Sequence, residues 1–242
     1  MISEEQFQKQ LRIVRHAEAV FYSALRNTQA LIQRTGWGYQ DIRISMFGKL
    51  SGILNSAVVS LYFLQNHLTH RDWWLGVYGD NFKVFEASVP QTIKCFDGQA
   101  KTALILGVVS NAESSFRILL DHFDPKACAG ATAAFANIYD CLLRKTNCSG
   151  TKIVFDMLRL LRNTQLHSDG IFQPSNGKDA HVTYRGMEYH FVVGKPLRGV
   201  TWELALNLSE DALDSMLKVV SSPISTVFSL ILDAKKVEQQ EE

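Results

Sequence analysis

The chain has 242 residues, 46% hydrophobic and 20% charged, ordinary proportions for a globular protein able to bury a sizeable core. Its 25 Lys and Arg against 24 Asp and Glu exclude a broadly basic coat for non-specific nucleic-acid binding, while leaving room for a small basic patch.

The front of the chain reads as helix. Ser3 with Gln6 three residues on has the pattern of a capping box. Phe7, Leu11, Val14, Ala17, Phe21, Leu25 and Leu31 then recur at helical spacing until Gly36-Trp37-Gly38. A second helix is expected over 40–67, from Ile42, Phe47, Leu50, Ile53, Leu54, Val58, Leu61 and Leu64. Residues 69–89 mix aromatics, Gly and Asp and read as a long surface connection, with Pro90 starting a short turn. A third helix is expected over 100–122, stopped by Asp124-Pro125. A fourth is expected over 126–144, Ala-rich at its start but weakened by Gly130. A fifth is capped by Ser149 or Thr151. The period then changes to alternation: Val182, Tyr184, Tyr189, Phe191 and Val193 are apolar among polar neighbours. This predicts a β-hairpin with Gly186-Met187 in a II′ turn and Thr183 opposite His190. Trp202 and Leu204 suit a short strand. A last helix is expected from Ser209, kinked or restarted at Pro223, running through Val227, Leu230 and Ile231 to a polar tail over 235–242. The fold class expected is therefore mostly α, a single helical domain over 1–242 with one hairpin before the C-terminal helix.

Cys95, Cys128, Cys141 and Cys148 include no C-x-x-C pair and read as reduced thiols. The polar start Met1-Ile2-Ser3-Glu4-Glu5-Gln6 does not have the form of a signal peptide. The most apolar stretches, 51–64 and 102–109, are too short or too interrupted to span a bilayer. A cytoplasmic location away from membranes is the expectation.

The chemistry concentrates at the end of the fifth helix, in Arg162-Asn163-Thr164-Gln165-Leu166-His167. A guanidinium, an amide and an imidazole on one short stretch can bind a phosphate, orient it and move a proton. Arg five positions before His occurs three times, at Arg117–His122, Arg162–His167 and Arg185–His190, so that spacing alone is unspecific. Only Arg162 is followed by Asn, a combination expected by chance roughly once or twice in a hundred such chains. On a helix, Val154, Met157, Leu158, Leu160, Leu161 and Thr164 gather on one side, with Lys152, Arg159, Arg162, Asn163 and His167 on the other. Asn163 and His167 share a face. Arg162 and His167 lie about 140° apart, so one helix does not easily aim both at one atom, whereas two copies related by a twofold axis can. The plain alternative is that Arg162 and His167 only complement the negative end of the helix dipole.

This segment resembles the hallmark of the HEPN superfamily, an all-helical group with Arg, a polar residue, three variable residues and His near a helix end. The preceding apolar run from Val154 to Leu161 is similar, as is the continuation Ser168-Asp169-Gly170-Ile171-Phe172. The hairpin and closing helix resemble a subgroup encoded on plasmids and mobile elements. The resemblance covers roughly 100–235 and leaves 1–99 as a helical extension. It implies a metal-independent endoribonuclease without cofactors, acting as a homodimer, with toxin and phage-defence effectors among its relatives and an antitoxin protein as a partner. Arg162 would hold the scissile phosphate of RNA, Asn163 would orient it, and His167 would serve as general acid or base, giving a 2′,3′-cyclic phosphate and a 5′-hydroxyl. Arg159 and Lys152, on the same side, would guide the substrate. The rival reading is a non-catalytic helical module that binds RNA or a protein.

Other constellations carry less. His67-Leu68-Thr69-His70 with Asp72 shows no further metal ligands and reads as an exposed helix end, so no metal site is assigned. Gly76-Val77-Tyr78-Gly79 lacks the Lys-Ser/Thr of a phosphate loop. Trp73-Trp74 reads as an anchor of the long connection on the core.

Overall fold

The computed structural model describes residues 4–127, 133–167, 170–174, 176–197 and 200–232, without the side chains of 4, 6, 7 and 165–167. The Ser3–Gln6 capping box, Gly130 and the tail over 235–242 thus lie outside the described residues.

Helix α1 (Glu4–Thr35) ends at Gly36, whose φ of +70° is the left-handed conformation that closes helices. It packs along α2 (Ile42–Phe63), which runs on through a π-turn at Leu64–Leu68. Residues 71–88 are not a loop. They form α3 (Arg71–Tyr78) and α4 (Phe82–Phe85), joined by tight turns. These short helices hold together because they have an apolar centre of their own: Leu68, Trp74 and Phe82 are buried among Phe63, Trp73, Tyr78 and Phe96. Trp74 gives its indole N–H to the Leu68 carbonyl at 2.8 Å. The aromatic residues that break helical periodicity are what build this satellite core.

Pro90 begins no separate turn. It sits in the first turn of α5 (Val89–Phe123), where a missing N–H costs nothing, and the helix starts eleven residues before the expected boundary at 100. Helix α6 (Phe135–Lys145) follows, shorter than expected, and then α7 (Lys152–His167), entered through a tight turn at Ser149–Thr151. Strands β1 (Ala180–Tyr184) and β2 (Met187–Phe191) make an antiparallel pair. Then come α8 (Trp202–Val220) and a single turn, α9 (Pro223–Thr226). The protein is mostly helical, with a two-stranded hairpin before its C-terminal helices. One apolar core takes residues from α1, α2, α5, α6, α7, the hairpin and α8.

The hairpin departs from expectation in register. Thr183 faces Glu188, and His181 faces His190. The two-residue loop is Arg185-Gly186, both with positive φ (46° and 75°), which is a I′ turn rather than II′. The slip is two residues, so every side chain keeps its side of the ribbon: Val182, Tyr184 and Phe191 are buried. Arg185, in a conformation unfavourable for a side chain, is fastened to α8 by hydrogen bonds to Asp211 (2.6 and 3.0 Å), Glu210 and Asn207. Trp202 and Leu204 do not form a strand. Thr201 caps α8 by accepting from the Leu204 N–H at 3.1 Å, and α8 is buried on so many sides that its apolar residues alternate as well as repeat.

Helix does not resume through Val227, Leu230 and Ile231. Asp41 and Arg43, both fully buried, form a bidentate ion pair (Nε–Oδ1 2.9 Å, Nη2–Oδ2 2.5 Å). The Arg43 guanidinium lies 3.5 Å over the Trp37 ring. It also donates to the carbonyls of Ser225 and Phe228 at 2.6 and 2.9 Å, which a continuing helix would need for itself. Asp41 accepts the Ile231 N–H at 3.2 Å, and Ile42 donates to the Ile231 carbonyl at 2.8 Å.

One sequence expectation needs correction here. Cys141 is disulfide-bonded, whereas Cys95 and Cys148 are free; spacing along the chain does not decide which thiols meet in space. The helical runs Ile42–Leu68 and Arg71–Phe123 are long and apolar enough to cross a membrane, although over half of each apolar window (56%) is buried inside the bundle.

Arg43→Met strands a buried carboxylate and is expected to lower stability by about 3–5 kcal/mol, read from urea unfolding; adding Asp41→Ala should restore part of that loss. At the α2–α5 contact, a Cβ on Gly107 would meet Ile53 Cγ2 at 2.8 Å, a β-branched side chain with little freedom to turn away. Gly107→Ala should therefore destabilise by about 1–3 kcal/mol, despite its better helix propensity.

Candidate functional site

Helix α7 buries Val154, Phe155, Met157, Leu158, Leu160, Leu161 and Thr164, the apolar side expected from the sequence with Phe155 added. Its other side is half-buried rather than open, because α5 and α6 lie along it. The polar residues there meet partners one after another. At the start, the Lys152 ammonium is 2.9 Å from Asp140, which also pairs with Arg144 at 3.1 Å. One turn on, the Tyr139 hydroxyl donates to Asp156 at 2.5 Å and accepts from Arg159 Nε at 3.3 Å. Another turn on, Arg162 forms an ion pair with Glu113 of α5, whose other oxygen accepts from Arg117 at 2.6 Å. Arg117 also donates to the Ala133 carbonyl at 2.9 Å.

These pairings set the protonation states. Burial alone would raise the Glu113 carboxyl, but hydrogen bonds from Arg117 and Arg162 outweigh it and hold the group below the ordinary glutamate range. Burial, then the bond to Asp156, pushes the Tyr139 phenol far up, so it remains neutral and serves as no proton carrier near neutral pH. Lys152 is held charged mainly by its hydrogen bond to Asp140.

Of the residues singled out from sequence, Arg162 has 29% of its side chain exposed. Asn163 beside it is half-buried. His167 closes α7, but its side chain lies outside the described residues, as do Ser168 and Asp169. Lys152 and Arg159 are on the expected side, committed to Asp140 and Tyr139. Sequence reading missed Glu113. The signal was present as the Glu113–Arg117 spacing of four on α5, but nothing local shows that Arg162, 49 residues later, shares the carboxylate.

From Gly170 on, the chain is tied to the segment that follows the hairpin. Gly170 accepts from the Leu197 N–H at 3.0 Å, Phe172 donates to the Lys195 carbonyl at 3.0 Å and accepts from Gly194 at 2.9 Å. Phe172 is buried against Phe191. Thr164 and Gly170 border an open groove of about 940 Å³ walled by Lys94, Gln99, Lys101 and Thr102 of α5. Lys101 is paired with Asp97 at 2.7 Å. Arg162 is not among the groove's lining residues.

His67, His70 and Asp72 are all exposed and do not gather into a ligand set; among the described residues, the ligand atoms that do so belong to His181, Glu188 and His190. Set against known families, characterised proteins and solved structures, the chain shows no match.

Removing the carboxylate between two guanidiniums gives a direct test of the Arg162 site. Glu113→Ala should cost about 1–3 kcal/mol at neutral pH. Because the folded-state pKa of Glu113 is depressed, its contribution is complete above the ordinary glutamate value of about 4.3 and is lost as pH falls through the lower folded value. Thermal melts of wild type and variant should therefore differ at pH 7, and the difference should shrink as pH falls below about 4.3.

Proposed function

We propose that the chain is a metal-independent endoribonuclease of HEPN type acting as a homodimer. The observation that carries the reading is Arg162: a part-exposed side chain in the last two turns of α7, followed by Asn163 and, at the helix end, His167. Arg162 holds the scissile phosphate in exchange for Glu113, an anion already in place that keeps the guanidinium extended. Asn163 orients the phosphate. His167 takes the proton of the ribose 2′-hydroxyl or returns one to the leaving 5′-oxygen, and the second subunit supplies the partner that one helix cannot aim at the same atom. Products carry a 2′,3′-cyclic phosphate and a 5′-hydroxyl, and DNA, without the 2′-hydroxyl, is spared. The groove beside Thr164 and Gly170, with Lys94 on its wall, gives single-stranded RNA a path to the helix end. In a cell such an enzyme acts as a toxin or phage-defence effector, restrained by an antitoxin protein.

A second reading, a non-catalytic module binding RNA or protein, draws on a specific observation. Arg162, Lys152 and Lys101 are each matched to a carboxylate, so this side carries little net positive charge.

Incubation of the purified protein with single-stranded RNA in EDTA separates the two. The nuclease reading expects cleavage that falls roughly 10²–10⁴-fold in His167→Ala and is lost in Arg162→Ala, with a dimer by light scattering. Binding without cleavage supports the module, and cleavage that survives in both variants overturns the assignment of these residues.

A further inference from the structure

We propose that the solvent face of the hairpin is a binding site for a divalent transition metal, held by His181, Glu188 and His190. His181 on β1 and His190 on β2 are directly opposed in the register. Their rings stack at 4.6 Å between centroids, 27° from parallel. Glu188 is two residues before His190, so the pleat puts it on the same face. Its Oε2 lies 3.7 Å from His181 Nε2 and 3.6 Å from His190 Nε2, and the ligand atoms of all three lie within 4.8 Å of one another.

These separations suit a shared ion. A metal about 2.0–2.1 Å from each of three tetrahedral ligands places those ligands roughly 3.4 Å apart. The two nitrogen–oxygen distances are therefore within a few tenths of an ångström of what coordination needs, which side-chain rotation can supply. The ribbon beneath is held firmly. Val182, Tyr184 and Phe191 on its other face are buried, Tyr184 donates to Asp211 at 2.6 Å, and Arg185 ties the turn to the same carboxylate. Ligands on such a backbone lose little freedom on binding.

The donor set selects the ion. Two imidazole nitrogens and one carboxylate oxygen suit Zn²⁺, Ni²⁺ or Cu²⁺, whereas Mg²⁺ and Ca²⁺ prefer oxygen alone. With 50%, 64% and 64% of the His181, Glu188 and His190 side chains exposed, the remaining coordination positions face solvent and take water or a group from outside. The site belongs to the hairpin and is separate from Arg162, so EDTA would empty it without touching the residues proposed for RNA cleavage.

The test uses the whole protein, stripped with chelator and titrated with Zn²⁺ by calorimetry in buffer containing millimolar Mg²⁺. One saturable equivalent is expected, weakened by about tenfold or more in His181→Ala and in His190→Ala, weakened also in Glu188→Gln, and unchanged in His67→Ala. All are surface positions, and far-UV circular dichroism checks that the variants fold. Zn²⁺ added to the wild-type protein should also move the ring-proton resonances of two histidines together, a reading that needs no variant. No saturable binding, binding that persists in both hairpin histidine variants, or binding lost in His67→Ala would each overturn the proposal. The last two outcomes would assign the metal to other surface ligands, and the first would leave Glu188 as an ion-pair partner of the two imidazoles.

Discussion

The buried pair Asp41–Arg43 is the interaction on which the termini of the fold depend. Two full charges at zero exposure are tolerable only if every donor and acceptor is used, and here the surplus hydrogen-bonding capacity reaches out to the chain end. Asp41 caps α2 through the Arg43 N–H while accepting from Ile231. Arg43 covers Trp37 with its flat face and gathers carbonyls from α9 and the segment after it. The α1–α2 corner and the last described strand of chain are thereby one structural unit. The sharp end of helix at Thr226, the burial of Ile231 and the bridge between Asp41 and Leu232 are consequences of this neutralisation.

A milder version of the same principle runs along α7. Its polar side could not be left against α5 and α6 without partners, and each cation there meets a carboxylate or a phenol. Under the function proposed above, a phosphate arriving at Arg162 would replace Glu113, leaving Arg117 to balance the displaced carboxylate.

The hairpin shows a different economy. Its inner face is part of the common core, its turn is bound to α8 through Arg185, and its outer face is left to solvent. Two histidines and a glutamate on that face cost nothing to expose and are held at ligand spacing by a ribbon that other contacts make stiff. Rigidity acquired for packing on one side becomes preorganisation on the other.

The hydrophobic pattern by itself determined most of the helices, the presence of the hairpin and which of its side chains point inward, because periods of 3.6 and 2 are local properties of the backbone. It also placed Arg162 and Asn163 on the polar side of α7. Several features were decided only by the tertiary structure: the helices within 71–88, the hairpin register, the end of helix at Thr226, the disulfide at Cys141 and the partners of Arg43 and Arg162. Each depends on residues far apart in the chain. Aromatic residues in 63–96 become a core only when they meet, and a two-residue slip leaves the alternation of apolar residues unchanged. A guanidinium, likewise, has no preference in sequence for the carboxylate that the packing of α5 against α7 brings to it.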